Sequence, residues 1–279
     1  MNYRHVFHAG NFADVFKHLV LTLTLQALHR KEAAFRYIET HAGAGRYDLE
    51  SEAAERSGEY RDGIARLWGW RDPPPAVAAY LDAVRAMNPN GRLRWYPGSP
   101  QLARRFLRPQ DRMSLCERQP EEAARLARAF AGDRQVTVQQ GDGYRMLAGW
   151  LPPRERRGVV LIDPPYESPA EFERVQEALA AACRRWATGC YLVWYPIKTR
   201  AGIARFHEAL RASGLRKILV AECLLYPDDT AFRLNGCGIV AVNPVWQLDE
   251  QLREVLPGLA ERLRLTPASR AELRWLVPE

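Results

Sequence analysis

Nothing in the 279 residues approaches the ~18 consecutive apolar positions that a membrane span requires. The longest apolar stretch near the start, "LVLTLTLQAL", is ten residues long and is interrupted by threonines. No small-residue cleavage site follows it, so it reads as the buried face of a helix and not as a signal peptide. Cysteine is sparse, five residues, odd in number and without a C-x-x-C pair. That excludes a zinc ribbon or a disulfide framework and suits reduced core residues in a cytoplasmic protein. Lysine is nearly missing, since 36 of the 40 basic residues are arginine. There is no internal repeat, low-complexity tract or Ser/Gly linker, and one domain over residues 1–279 is the economical reading.

What is present is a globular composition, 47% apolar and 26% charged, with a net charge of +7. An arginine-borne positive charge suits an anionic partner such as nucleic acid, because the guanidinium forks onto phosphate and stacks on bases. Four basic clusters are candidate phosphate contacts: Arg104/Arg105, Arg154/Arg156/Arg157, Arg184/Arg185 and Lys198/Arg200.

Seven apolar, β-branched or aromatic runs bounded by turn residues recur at 33–40, 112–117, 134–140, 158–165, 189–196, 216–227 and 237–246. Helix-length segments with apolar spacing near 3.6 separate most of them. Alternating strands and helices predict an α/β fold with a mostly parallel, doubly wound sheet. Asn11 is placed to cap, and Asp14 to charge, a helix from about residue 12 to 30 ahead of the first strand. Residues 46–92 carry helical patterns without a convincing strand and read as a helical insertion.

In an open α/β sheet ligands bind beyond the carboxyl ends of the strands, so the residues after each run matter most. "YIETHAGAGRY" follows the first strand with Gly43 and Gly45, which permit close backbone approach but match neither a dinucleotide fingerprint nor a P-loop. Glu117 ends "MSLCE", where a carboxylate can accept from both hydroxyls of a ribose. Asp142 and Gly143 in "QQGDGY" suit an adenine amine and a backbone contact, or a plain Asp-Gly turn.

The fourth loop is "DPPY". An aromatic amino nitrogen is a poor nucleophile because its lone pair is delocalised into the ring. Asp163 can accept one of its N–H groups and the Pro164 carbonyl the other, which localises the lone pair. The two prolines hold that carbonyl rigidly. Tyr166 offers a face on which an extruded base can stack.

Together with "YRHVFHAGNFADVFKH", "THAGAGRY", "ERSGEYRDGIARLW" and "RWYPGSP", these loops make the sequence resemble class I S-adenosylmethionine (SAM)-dependent amino-methyltransferases. More narrowly it resembles the bacterial 23S rRNA adenine-N6 methyltransferase family, RlmJ, nearly from end to end. The resemblance implies a Rossmann-like, seven-stranded methyltransferase sheet with a small helical inset, acting as a monomer on one adenine of 23S rRNA. It implies cofactor contacts at His18, His41, Ser99, Glu117, Asp142, Gly143 and Asp163, a catalytic role for Asp163, and an rRNA contact at Tyr3. Glu39 departs from the family, in which aspartate is common at that position.

Lys17 and His5 lie in a basic, aromatic stretch that reads either as a contact to the target nucleotide or as an ordinary amphipathic helix start. His5 and His8 have H-x-x-H spacing, but no carboxylate or cysteine set accompanies them, so no metal is expected. The rival readings are a DNA adenine-N6 methyltransferase, for which the 46–92 inset is small, and a non-catalytic RNA-binding or ribosome-assembly protein. An intact acid and an intact glycine loop argue against the second.

Overall fold

The computed structural model describes residues 4–231 and 234–278. Helix α1 (Phe12–His29) opens the fold where Asn11 leaves its side chain to accept from the Asp14 amide at 2.9 Å. All of its residues except Gln26 and His29 are buried, which explains an apolar pattern with little one-sidedness. Thr22 and Thr24 are tolerated inside because their hydroxyls donate back to the carbonyls of His18 and Val20 at 2.8 and 2.9 Å.

The chain then runs through β1 (Arg36–Glu39), β2 (Arg46–Asp48), α2 (Glu52–Ser57), α3 (Ile64–Trp68), α4 (Pro75–Arg85), β3 (Trp95–Pro97) and α5 (Ser99–Arg105). Alternation follows with β4 (Arg112–Glu117), α6 (Pro120–Ala129), β5 (Val136–Gln140), α7 (Gly143–Trp150), β6 (Gly158–Ile162), α8 (Glu171–Arg185) and β7 (Cys190–Ile197). The last elements are α9 (Arg200–Ala212), β8 (Ile218–Leu224), β9 (Gly236–Val242), α10 (Leu248–Leu263) and β10 (Arg270–Val277).

The main sheet has the order β10-β8-β9-β7-β6-β1-β4-β5. Strands β7, β6, β1, β4 and β5 are parallel, and β9, β8 and β10 join by antiparallel pairings. The seven expected strands are all present. The sheet has eight, because β10 adds an antiparallel edge. Its sequence, "RAELRWLV", lacks a continuous apolar run: Arg270, Glu272 and Arg274 are only partly buried and form ion pairs with Asp228, Glu222 and one another.

A central parallel strand is covered on both faces and is therefore apolar throughout. In β6 every residue is buried, with Val159 and Leu161 packing in the cluster that contains α1 and Val160 and Ile162 in the cluster that contains α8 and α9. All five cysteines are buried and free. No helix among the described residues is long and apolar enough to cross a membrane.

Segment 46–92 holds α2, α3 and α4 but also opens on a strand. The three-residue β2 pairs antiparallel with β3, a ribbon too short to leave a period in the sequence. Gly63 lets this segment lie against the start of α1: the Ile64 amide donates to the Gly10 carbonyl at 2.8 Å, and a Cβ on Gly63 would fall 2.0 Å from that oxygen. Gly63→Ala is therefore expected to destabilise the protein by at least about 1–3 kcal/mol through overpacking. Chemical denaturation would measure the loss, and an unchanged midpoint would contradict the packing described.

Candidate active site

Chain order reverses between β1 and β6, and the loops after β1, β4 and β6 all open on that switch point, where doubly wound sheets bind ligands. A cavity of about 570 Å³ lies there. His41 and Gly43 after β1, Glu117 at the end of β4, and Asp163, Pro164 and Tyr166 after β6 contribute to its lining. Helix α1 and the turn before it add His5, Asp14, Lys17 and His18, and Ser99 enters from α5.

Asp163 is the first residue beyond β6. Its Oδ2 accepts from Lys17 Nζ at 2.6 Å, across 146 residues of chain. Lys17 also pairs with Asp14 Oδ1 at 2.8 Å, and the other Asp14 oxygen takes the Gly10 amide at 3.0 Å and His5 Nε2 at 2.9 Å. Burial alone would lower the Lys17 pKa, but the two carboxylates outweigh it and hold it well above the ordinary value. Burial would likewise raise Asp14, yet His5 and Lys17 hold it well below the carboxylate range. The result is a buried acid–base–acid row that fixes one Asp163 oxygen and leaves Oδ1 for a ligand.

Across the cavity Glu117 is oriented by two backbone amides, Gly43 donating to Oε2 and Gln119 to Oε1, each at 2.8 Å. Each oxygen keeps acceptor capacity towards the cavity. Gly43 is in the left-handed region at φ +60° and sits under the Tyr47 hydroxyl, which a Cβ would meet at 2.3 Å. Ser99 donates to Glu39 Oε1, and Tyr37 donates to Glu39 Oε2 at 2.8 Å. Fully buried, the Glu39 carboxyl is pushed up to about 8. His41 is half-buried, bonded through Nδ1 to the Thr40 hydroxyl at 2.8 Å, and burial pushes its pKa down to about 4.

Two expected ligands stand differently. Asp142 caps α7, accepting from the Tyr144 and Arg145 amides, and its other oxygen lies 3.5 Å from Arg174. Gly143 packs on the end of β1, where a Cβ would lie 2.0 Å from the Thr40 carbonyl oxygen. Neither lines the main cavity, and the local geometry accounts for both residues as a helix cap and a close approach. Tyr166 adopts φ +48°, a strained choice for a tyrosine. It is held there by its hydroxyl, which donates to the Trp194 carbonyl at 2.8 Å, and by the Phe172 and Trp194 rings. Only 7% of it is exposed, leaving a narrow contact for a base. Tyr3 lies outside the described residues.

Half of the clustered arginines are engaged within the protein, while Arg105, Arg154, Arg156 and Arg184 are exposed. Arg104 binds Asp133, Arg157 binds the carbonyls of Ala33 and Leu28, Arg185 binds the Leu151 carbonyl, and Arg200 binds Glu222 and Asp228. Of these basic clusters only Lys198 lines the cavity. His5 and His8 pair with Asp14 and Glu59, and no group of three or more candidate metal ligands occurs among the described residues. Sequence reasoning treated Asp14 as a helix-start acid and missed it as the hub of the site. Its i, i+3 spacing to Lys17 was the available signal.

A family model described as ribosomal RNA large subunit methyltransferase D, RlmJ, matches residues 32–277. The chain belongs to the RlmJ family. Two ribosomal RNA large subunit methyltransferases J, from Escherichia coli K12 and Haemophilus influenzae, are 44% and 42% identical to this RlmJ-family chain, each over 100% of both chains. Among solved structures, a Legionella pneumophila protein superposes with a TM-score of 0.89 at 35% identity, covering 96% of this chain and 98% of that one. A probable spermidine synthase from Corynebacterium glutamicum, 13% identical with a TM-score of 0.51, covers 95% of this chain and 75% of its own and shares the fold alone. The Rossmann-like class I methyltransferase sheet expected of the family is the one found, with one additional edge strand.

Proposed function

We propose that the protein transfers a methyl group from SAM to the N6 amine of one adenine in 23S rRNA, acting as a monomer. RlmJ-family membership and likeness over the whole chain to two ribosomal RNA large subunit methyltransferases support methylation of ribosomal RNA. The observation that carries the adenine amine is Asp163, held at the strand end with one oxygen paired to Lys17 and the other free. The residues present fit the cofactor. Glu117 is an oriented carboxylate for the ribose hydroxyls, and the His18 Nε2 is buried in the cavity lining without a partner. Ser99 and His41 would complete its binding, with Asp142 and Gly143 at the edge of the adenine site.

When bound, SAM supplies an electrophilic methyl group. Lys17 clamps Asp163 Oδ2, so Oδ1 is the atom that accepts one N–H of the target amine. The Pro164 carbonyl accepts the other, and no described residue donates to it. With both N–H groups held, the nitrogen lone pair is directed out of conjugation, and alignment supplies most of the acceleration. The amine gains positive charge on attack and afterwards loses its proton to Asp163 Oδ1 or through it to water. Tyr166 borders the target ring, while His5 and Lys17 face the nucleotide; an rRNA contact at Tyr3 rests on the family resemblance alone. The chain acts as one domain, with residues 46–92 as an inset that closes one wall of the site.

Glu117→Ala removes charge-assisted hydrogen bonds of about 1.5–3 kcal/mol and should weaken SAM binding roughly ten- to hundredfold. Calorimetry would detect it, and unchanged affinity would refute the ribose assignment. The reading as a whole is tested by incubating the purified protein with SAM and either unmodified 23S rRNA or duplex DNA, then analysing nucleosides by mass spectrometry. N6-methyladenosine in the rRNA alone is expected. Methylated duplex DNA would favour the DNA enzyme, and RNA binding without SAM binding would favour a non-catalytic protein.

A further inference from the structure

Glu39 ends β1 with 0% of its surface exposed, and among the described residues it forms no ion pair. Its hydrogen-bond partners are two neutral hydroxyls, Ser99 on Oε1 and Tyr37 on Oε2, the latter at 2.8 Å. The charged groups beside it are Lys17 from α1 and Asp163 after β6. Lys17 is already shared by Asp14 and Asp163, so Glu39 has no cation of its own, and Asp163 opposes a further negative charge there. A carboxyl buried on those terms takes up a proton. Its pKa is accordingly pushed up to about 8, above all by burial, and the group is neutral near pH 7.

The two hydroxyls serve either protonation state. Ionised, Glu39 accepts from both. Protonated, it still accepts from Tyr37 and donates to Ser99, whose own proton then turns to the cavity that Ser99 lines. The contacts therefore select neither form, and the balance is set by the charge placed beside them. SAM carries one net positive charge, the sum of its sulfonium, ammonium and carboxylate groups. Its demethylated product, a thioether, carries none.

We infer that Glu39 is a proton-linked counter-charge for the cofactor, releasing its proton to solvent when SAM fills the cavity beside Ser99 and taking one back when methyl transfer leaves the neutral thioether. The inference rests on the cofactor reading above. On binding, one carboxyl and one SAM cation become a carboxylate paired with SAM and one proton in solvent. After transfer the carboxylate is left without a counter-charge and recovers a proton from solvent. Because binding releases a proton, SAM affinity should rise with pH up to the ligand-free pKa, whereas affinity for the product should stay nearly flat.

The test is calorimetric titration of the full-length protein in two buffers of different ionisation enthalpy, at about pH 6.5, where an α-amino group with an ordinary pKa near ~8 stays charged. SAM binding is expected to release roughly 0.5–1 proton and to strengthen about three- to tenfold between pH 6 and 7. The demethylated product should release far less. Glu39→Gln keeps the shape and hydrogen bonds of the neutral form, so it should bind the product as the wild type does, lose the extra proton released with SAM and flatten the pH dependence. Wild-type protein that releases as much with the product as with SAM, or a Glu39→Gln protein with an unaltered proton count, overturns the proposal. Wild-type protein that binds neither ligand would overturn the cofactor reading instead.

Discussion

Asp163→Ala is expected to lower the single-turnover rate of methyl transfer by roughly 10²–10⁴-fold, the usual range for a positioned acid–base group, in a protein that still folds. The fold should survive because Lys17 keeps its second partner, Asp14, at 2.8 Å. The substitution removes the acceptor for one amine hydrogen, the interaction on which lone-pair localisation depends, so the loss belongs in the rate and not in rRNA affinity. Stopped reactions with enzyme in excess over rRNA would separate the two. A variant that retains its rate would mean that the Pro164 carbonyl alone orients the amine.

Asp14→Ala should produce the largest loss of stability of any single change at the site. The Asp14 side chain is 3% exposed and accepts from Lys17, His5 and the Gly10 amide. Breaking a buried ion pair by deleting one partner costs about 3–5 kcal/mol. At about 2–4 °C per kcal/mol for a chain near this size, the melting temperature should fall by roughly 10 °C. The folded pKa of Asp14 is depressed, so its contribution is complete above the ordinary carboxylate pKa and disappears as pH falls through the lowered value. Denaturation of both proteins at pH 7 and in acid checks the sign: the gap should narrow on acidification. A gap that stays constant would assign the loss to packing instead of charge.

The parts of the site that are local in sequence were legible as such. Asp163 and Pro164 follow an apolar run that can only be a buried strand, and Glu117 ends another, so the topology of a doubly wound sheet brings their ends to one edge. Long-range pairings were not. Lys17 meets Asp163 across 146 residues and His18 meets Tyr96 across 78, and no periodicity encodes either contact. Arginine abundance suggested an anionic partner class, yet charge counting does not distinguish a guanidinium facing solvent from Arg200, which serves Glu222 inside the protein. β10 was overlooked for the same reason in reverse: its charged residues are paired across the sheet edge, and an edge strand carries no apolar signature to read.

The central claim is that the Asp163 corner methylates adenine N6 in 23S rRNA. Mapping N6-methyladenosine in 23S rRNA from cells lacking the gene, complemented with either the wild type or Asp163→Ala, tests it most directly. One methylated adenine restored by the wild type and by no Asp163→Ala protein is the predicted result. Identical methylation maps with and without the gene, or restoration by Asp163→Ala, would contradict it.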